Sequence, residues 1–137
     1  AVATYTNLTG TSAIAFGTLD RTALNSIDPA GGTGSASRSL EYNQNLTITY
    51  TSVPTNLTAT VNSATVNLPV SLTCAYKVGA AAWSAASACS GASFAMDVGS
   101  ALTTGTLGFG GDITAAAAAS ALAATYQGTM TVVVTAR

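Results

Sequence analysis

The acidic side chains of this 137-residue chain are few and are scattered singly along it. Each stands beside a turn signal or on the polar face of a predicted strand, where a solvated carboxylate is the simplest interpretation. A calcium ion shared by Asp20, Asp28 and loop carbonyls can be imagined, but the spacing matches no calcium-binding motif. The five acidic residues are Asp20, Asp28, Glu41, Asp97 and Asp112.

Other side chains with catalytic potential are missing or badly placed. There is no histidine, so the usual general base and the commonest metal ligand are absent. Lys77, the only lysine, falls on the polar side of its predicted strand, whereas Ser-Lys catalysis or an isopeptide bond would need it buried beside a carboxylate. The glycine clusters at 31–34 and 108–111 fit neither the GxGxxG nor the P-loop pattern. The sequence therefore predicts no catalytic residue, metal or cofactor, and a protein that is not an enzyme.

The two cysteines, Cys74 and Cys89, have fourteen residues between them. In a β-rich protein that is expected to be secreted, such a pair is more often a disulfide than two free thiols. Closing this loop would stabilise the fold by about 3 kcal/mol on the chain-entropy estimate.

Three sequons, at Asn7, Asn45 and Asn56, could accept an N-linked glycan. Asn45 and Asn56 lie on the outward faces of their predicted strands, so attachment is sterically possible there. Some sequons arise by chance in a threonine-rich chain, and many secreted bacterial proteins never meet the glycosylation machinery. Both outcomes stay open.

The composition indicates a polar surface that is nearly uncharged. Charged residues make up 7% of the chain, against a usual value of about 25%, and the net charge is −1. Four basic residues are too few to indicate a binding surface for nucleic acid or anionic lipid. No apolar run approaches the roughly 20 residues that span a bilayer. We therefore expect no nucleic-acid partner and no membrane insertion. The start at Ala1-Val2-Ala3, without Met, favours a mature secreted product.

Alternating apolar and polar residues predict strands through most of the chain. The clearest run is 40–51, with Leu40, Tyr42 and Ile48 on its apolar face. Another runs through Val66 and Leu72 to Tyr76, and Pro69 within it indicates a sheet edge. Seven or eight short strands with turn signals between them predict an all-β, antiparallel two-sheet sandwich.

Three stretches give weaker signals. The glycine- and serine-rich segment 25–39 is predicted to be one long loop, and 103–113 a short strand with glycine breaks. Alanines dominate 115–124, where a short strand or loop is favoured over a helix because no convincing N-cap precedes them.

The two ends of the chain differ in character. Residues 1–12 contain β-formers but few large apolar groups, so we predict an N-terminal extension followed by one sandwich domain over 13–137. The last stretch alternates strongly and must bury one face. Its apolar face carries Tyr126, Met130, Val132 and Val134.

Two segments resemble a known family. AIAFGTLD at 13–20 and ATYQGTMTVVVT at 124–135 are similar to the FGT-type first strand and the GTYTGTVTVTV-like last strand of spore coat protein U-like domains and related fimbrial subunits. The similarity is good at both ends of the chain, whereas the middle is similar only in general character. This chain has Thr125 where the family has Gly, and it lacks the family's frequent early cysteine.

The resemblance implies a structural subunit of an extracellular cell-surface filament, with a role in adhesion or biofilm. Its Ig-like, pilin-type sandwich would be completed by a strand from an identical neighbour, and a chaperone/usher-type system would assemble it. Physical reasoning agrees, because a long apolar edge strand is an aggregation hazard unless something pairs with it. The expected donor is the segment with Val2, Tyr5 and Leu8, which would not fold back onto its own domain. The expected acceptor is the C-terminal strand.

Two other functions remain alternatives. One is a carbohydrate-binding adhesin domain that uses Trp83 and Tyr76 as a sugar platform. The other is a coat, surface-layer or phage decoration protein.

Overall fold

The computed structural model describes residues 2–9 and 13–137 of the chain. These residues form eleven strands and one short helix. In chain order, the elements are β1 (Thr6–Thr9), β2 (Asn25–Ile27), β3 (Ala36–Tyr42), β4 (Leu46–Thr51), β5 (Asn56–Val61), β6 (Ala64–Pro69), β7 (Ser71–Val78), β8 (Ser87–Ala88), β9 (Ser93–Met96), β10 (Thr103–Ile113), α1 (Ala115–Ser120) and β11 (Thr131–Ala136).

Antiparallel sheets build a sandwich. The first has the order β1, β3, β10, β7 and β8, and β2 continues the line of β3 by pairing with the far end of β10. The second has the order β11, β4 and β9. The hairpin β5–β6 is a separate ladder, which one bridge between Thr58 and Gln127 joins to the segment before β11. The predicted all-β antiparallel sandwich is confirmed.

The main core lies between the two sheets. Leu40 and Tyr42 of β3, Ile48 of β4, Met96 of β9 and Leu107 of β10 are all 0% exposed. Removing this apolar surface from water is the dominant favourable term that holds the sheets together. A second cluster lies near α1 and contains Leu68, Val70, Ile113 and Ala118.

The run 40–51 is two strands rather than one. β3 ends at Tyr42 in the first sheet, and β4 begins at Leu46 in the second. Three polar residues carry the chain across the end of the sandwich, yet the alternation continues in phase because both strands face the same core. The inward residues were therefore predicted correctly, whereas the break at Gln44 was not recognised as a change of sheet.

The glycines of 103–113 do not break a strand. β10 is eleven residues long and is the central strand of its sheet. A Cβ on Gly108 would overlap the carbonyl oxygen of Pro29 and approach the Trp83 ring to 2.9 Å. The glycines therefore let neighbouring segments cross close to the outer face of the sheet. The prediction of one loop over 25–39 is also wrong, because it contains β2 and the start of β3.

The alanine-rich stretch forms a helix, against the prediction. Thr114 is the N-cap, and its Oγ1 accepts a hydrogen bond from the Ala117 N–H at 3.1 Å. This is the usual way in which a threonine satisfies a free amide of the first helical turn. Ala118 is buried in the second cluster, so packing as well as alanine propensity favours the helix.

The segment that resembles a pilin first strand is not assigned as a strand. Within 13–24, the backbone N–H of Ala15 donates to the carbonyl of Gly34 at 2.9 Å. Ile14 packs against the main core, and Phe16 packs against the second cluster. This stretch therefore packs against both clusters without forming a strand of its own.

Candidate functional site

The C-terminal strand β11 lies at the edge of the second sheet. It pairs with β4 from Thr131 opposite Thr51 to Ala136 opposite Leu46. Val132 and Val134 are half-buried and pack against the main core. Among residues 2–9 and 13–137, no strand pairs with the other edge of β11.

The hydrogen bonds beyond the end of β11 fix which of its backbone groups face this open edge. The Arg137 N–H donates to the Asn45 carbonyl at 2.9 Å, so this pair is hydrogen-bonded. Hydrogen-bonded and non-hydrogen-bonded pairs alternate along an antiparallel ladder. The N–H and C=O groups of Val132 and Val134 therefore point away from β4. In agreement, Tyr50, the partner of Val132, donates its N–H to Ala92 on the other side of β4.

The open edge of β11 carries none of the usual protection against pairing. Natural edge strands are blunted by charges, prolines, bulges or very short length. β11 is six residues long, contains no charged residue and no proline, and alternates Thr131, Val133 and Thr135 on its outer face. The nearest charge, Arg137, forms an ion pair with Asp97. This edge is therefore competent to add another strand.

Two of the four predicted acceptor residues lie outside the edge strand. Tyr126 packs against the second cluster, and its hydroxyl donates to the Leu122 carbonyl at 2.9 Å. Met130 precedes β11 and packs against the main core. The edge itself therefore presents Val132 and Val134.

The N-terminal segment, residues 2–9, is called the arm below. Thr6–Thr9 form β1 and pair with β3 of the same chain, from Thr6 opposite Tyr42 to Thr9 opposite Ser39. The prediction that the arm does not fold back onto its own domain is therefore wrong for the described residues. The reason is that β3 offers a free backbone edge, which pairs with the arm although the arm has little apolar surface to bury.

The predicted donor side chains are anchored unequally. Leu8 is half-buried and packs against the main core. Val2 is 90% exposed and Tyr5 is 44% exposed. Backbone pairing rather than side-chain burial therefore holds most of the arm in place.

The arm and the open edge lie on the same side of the sandwich. Tyr76 of β7 stacks on Phe94 of β9, with ring centroids 4.0 Å apart and an interplanar angle of 6°. β9 therefore lies over the β7–β8 end of the first sheet, and β11, at the opposite end of its own sheet, lies toward β1. On this side, β1 is the terminal strand of the first sheet and β11 is the terminal strand of the second.

The predicted disulfide lies at the opposite side of the sandwich, at the β7–β8 end of the first sheet. Cys74 and Cys89 are bonded to each other, with 5.2 Å between their Cα atoms, and they are 3% and 0% exposed. A cleft of about 570 Å³ lies beside them and is lined by serines, alanines and the rings of Tyr50, Tyr76 and Phe94. Burial raises the pKa of the Tyr50 phenol. The disulfide therefore ties the 79–92 region to β7.

The aromatic residues proposed as a sugar platform are engaged within the chain. The Tyr76 ring is stacked on Phe94. Trp83 is half-buried close to Gly108, and the Lys77 Nζ lies 5.0 Å from its ring centroid. Lys77 thus stands on the outer face of β7, as predicted. Each of these contacts covers one face of its ring.

The three sequon asparagines lie in different settings. Asn7 is exposed on β1, and Asn56 is exposed at the start of β5. Asn45 is exposed between β3 and β4, and its Oδ1 accepts the Val98 N–H at 3.0 Å. The Asn45 amide therefore helps to hold the strand crossing, and this role restricts its rotation.

Two of the isolated carboxylates, Asp20 and Asp28, serve as turn acceptors. The Oδ1 of Asp20 accepts from the Thr22 hydroxyl and also from the Thr22 N–H, which together lower the pKa of this exposed carboxyl. The Oδ1 of Asp28 accepts from the Ala30 N–H at 2.9 Å.

No group of three or more His, Cys, Asp or Glu residues able to hold a metal ion occurs in the described parts of the chain. The same parts contain no helix long and apolar enough to cross a membrane.

Comparisons with protein-family models, curated proteins and solved structures found no match. The site is therefore interpreted from its own geometry.

The sequence pattern predicted the last strand and the arm but not the role of Asn43 and Gln44, which form hydrogen bonds to the arm. The available signal was the polar triplet 43–45 inside an otherwise alternating run.

Proposed function

We propose that this protein is a structural subunit of an extracellular filament that assembles by strand addition between identical copies. The observation that carries this proposal is the open edge of β11. Its outward N–H and C=O groups and half-buried valines offer the two things that an added strand needs, a hydrogen-bonding ladder and an apolar face. The edge contains no charge that would oppose such pairing.

The donor in this proposal is the arm of a neighbouring copy. Only Leu8 of the arm is half-buried, so little apolar packing must be broken when the arm leaves β3. Because backbone ladders do not depend on side-chain identity, the arm can exchange one strand edge for another. Exchange of an identical element between copies is a low-cost route to assembly.

The proposed setting is the cell surface. A buried disulfide is typical of proteins that mature in an oxidising compartment. The low content of charge suits a filament whose subunits pack through neutral strands and whose outer faces carry hydroxyl groups. An assembly system of the chaperone/usher type would cover the β11 edge until a neighbour's arm arrives, and adhesion or biofilm formation would be the filament's role.

Deleting residues 1–9 should abolish filament formation. The truncated subunit lacks the donor strand, so it should remain a monomer in size-exclusion chromatography with light scattering and show no filaments in negative-stain microscopy. The full chain, prepared identically, is the control.

A synthetic peptide of residues 1–9 makes this deletion informative even if the truncated subunit is unstable. Added in excess, the peptide should bind and raise the thermal midpoint, because a ligand that binds only the native state stabilises it. The peptide should not restore filaments, since it bridges no second copy. Normal filaments from the truncated subunit would contradict the proposal.

A further inference from the structure

In addition to the β1–β3 ladder, two neighbouring polar residues, Asn43 and Gln44, hold the arm against its own chain. The Tyr5 N–H donates to the Oδ1 of Asn43 at 2.7 Å, and the Nδ2 of Asn43 donates to the Ala3 carbonyl at 2.9 Å. The Asn43 backbone N–H also donates to the Tyr5 carbonyl at 3.1 Å. The Nε2 of Gln44 donates to the hydroxyl of Thr6 at 3.1 Å. Asn43 therefore uses both ends of its amide to continue the β1–β3 ladder beyond Tyr42.

The position of this clamp matters because it holds the part of the arm with the least apolar anchoring. Val2 and Tyr5 remain exposed on either side of Ala3, whereas Leu8 packs against the core farther along. Beyond the paired residues of β1, polar contacts to Asn43 thus hold the outer half of the arm, and Gln44 contacts Thr6 at the start of the ladder. Such contacts can be released one at a time, and the apolar side chains of the arm are already available to a second molecule.

We propose that Asn43 and Gln44 form a latch that keeps the arm on its own subunit and thereby restrains assembly. This inference rests on the proposed function, since the restrained event is the transfer of the arm to the β11 edge of another copy. With the latch closed, the arm occupies β3 and the subunit is self-contained. With the latch open, the outer arm is free to pair elsewhere.

The test compares Asn43→Ala with wild type in hydrogen–deuterium exchange of peptides that cover the arm. Loss of two side-chain hydrogen bonds should increase exchange of the arm amides about tenfold. The reason is that losing one exposed hydrogen bond shifts the equilibrium between the bound and the released arm by about two- to tenfold. Exchange in β7 and β10 should not change. Asn67→Ala, the same replacement on an exposed position of β6, is the matched control and should leave the arm as in wild type.

A second variant keeps the test decisive if Asn43→Ala misfolds. Gln44→Ala removes only the bond to Thr6 and should increase arm exchange by a smaller factor. Unchanged arm exchange in either folded variant would overturn the latch, whatever the filaments do.

Filament growth from equal monomer concentrations separates this inference from the proposed function. Faster growth by Asn43→Ala, together with increased arm exchange, supports the latch and its restraining role. If Asn43→Ala increases exchange but neither wild type nor any variant forms filaments, Asn43 still holds the arm on its own subunit. That result would overturn both the proposal that the latch restrains assembly and the filament proposal. Filaments that grow at the same rate in wild type and Asn43→Ala, despite increased exchange, would overturn the restraint alone.

Discussion

Replacing Ile48 with alanine is expected to lower the free energy of unfolding by about 2–5 kcal/mol, the usual range for removing a large buried aliphatic group and leaving a cavity. Ile48 is 0% exposed and sits on β4, the central strand of the second sheet. Strands pair on both sides of it, so the backbone has little freedom to collapse into the space. Urea unfolding followed by the fluorescence of Trp83 would measure the loss.

Thr47→Ala is the control on the same strand. Thr47 is half-buried on the outer face and has no position in the core, so its replacement should change stability far less than that of Ile48. Leu72 belongs to the alternating run that ends at Tyr76, which predicts a core position, but it is only half-buried, so its replacement should have a smaller effect than that of Ile48. Equal effects of the Ile48 and Thr47 replacements would mean that the faces of β4 are assigned wrongly.

Gly110→Ala is expected to destabilise the fold by about 1–3 kcal/mol through overpacking. A Cβ at this position would overlap the carbonyl oxygen of Ile27 and lie 2.8 Å from the backbone nitrogen of Pro29. Both obstacles are backbone atoms, so no flexible side chain can move away. The crossing segment would have to lift from the outer face of β10.

Gly99→Ala is the matched control for this substitution. A Cβ on Gly99 would meet only the Thr103 hydroxyl, at 3.5 Å, which is an ordinary contact. The two variants can be compared by thermal unfolding under identical conditions. If Gly110→Ala melts at the same temperature as Gly99→Ala, the close passage of residues 27–29 over β10 is not present in solution.

The pattern of apolar residues predicted which side chains face the core but not which strands pair. Leu40, Tyr42 and Ile48 are inward, as expected, because alternation has a period of two wherever a strand has one buried face. The same pattern cannot show that the chain changes sheets at Gln44, since both sheets face one core. Pairing depends on long-range geometry that a local pattern does not contain.

The errors at β10 and α1 share a physical cause, which is that the conformation favoured by glycine and alanine depends on their neighbours. The glycines of β10 predicted breaks, but Gly108 and Gly110 make room for a crossing segment whose position no local signal reveals. The N-cap of helix α1 is Thr114, a residue that could equally have been a strand position. In both cases tertiary contacts decided between local alternatives.

The candidate site was predicted in part. The apolar alternation of Val132 and Val134 was visible in the sequence, and so was the scarcity of apolar groups in the arm. The pairing of the arm with its own β3 was not, because it is a backbone ladder with a strand that lies about 30 residues away in the sequence. The polar contacts of Asn43 and Gln44 with the arm leave no periodic signature either.

The most direct test of the central claim, that the open edge of β11 is where copies join, compares Val134→Pro with Val134→Ala. Both variants lose the valine side chain, but only proline removes the N–H that points away from β4. Proline is tolerated on an edge strand when its missing N–H faces outward. Filament formation should be measured by light scattering and negative-stain microscopy at equal concentrations, with circular dichroism to establish that both variants are folded. We expect filaments from Val134→Ala and none from folded Val134→Pro; filaments from both variants at equal rates would show that copies do not join at the β11 edge.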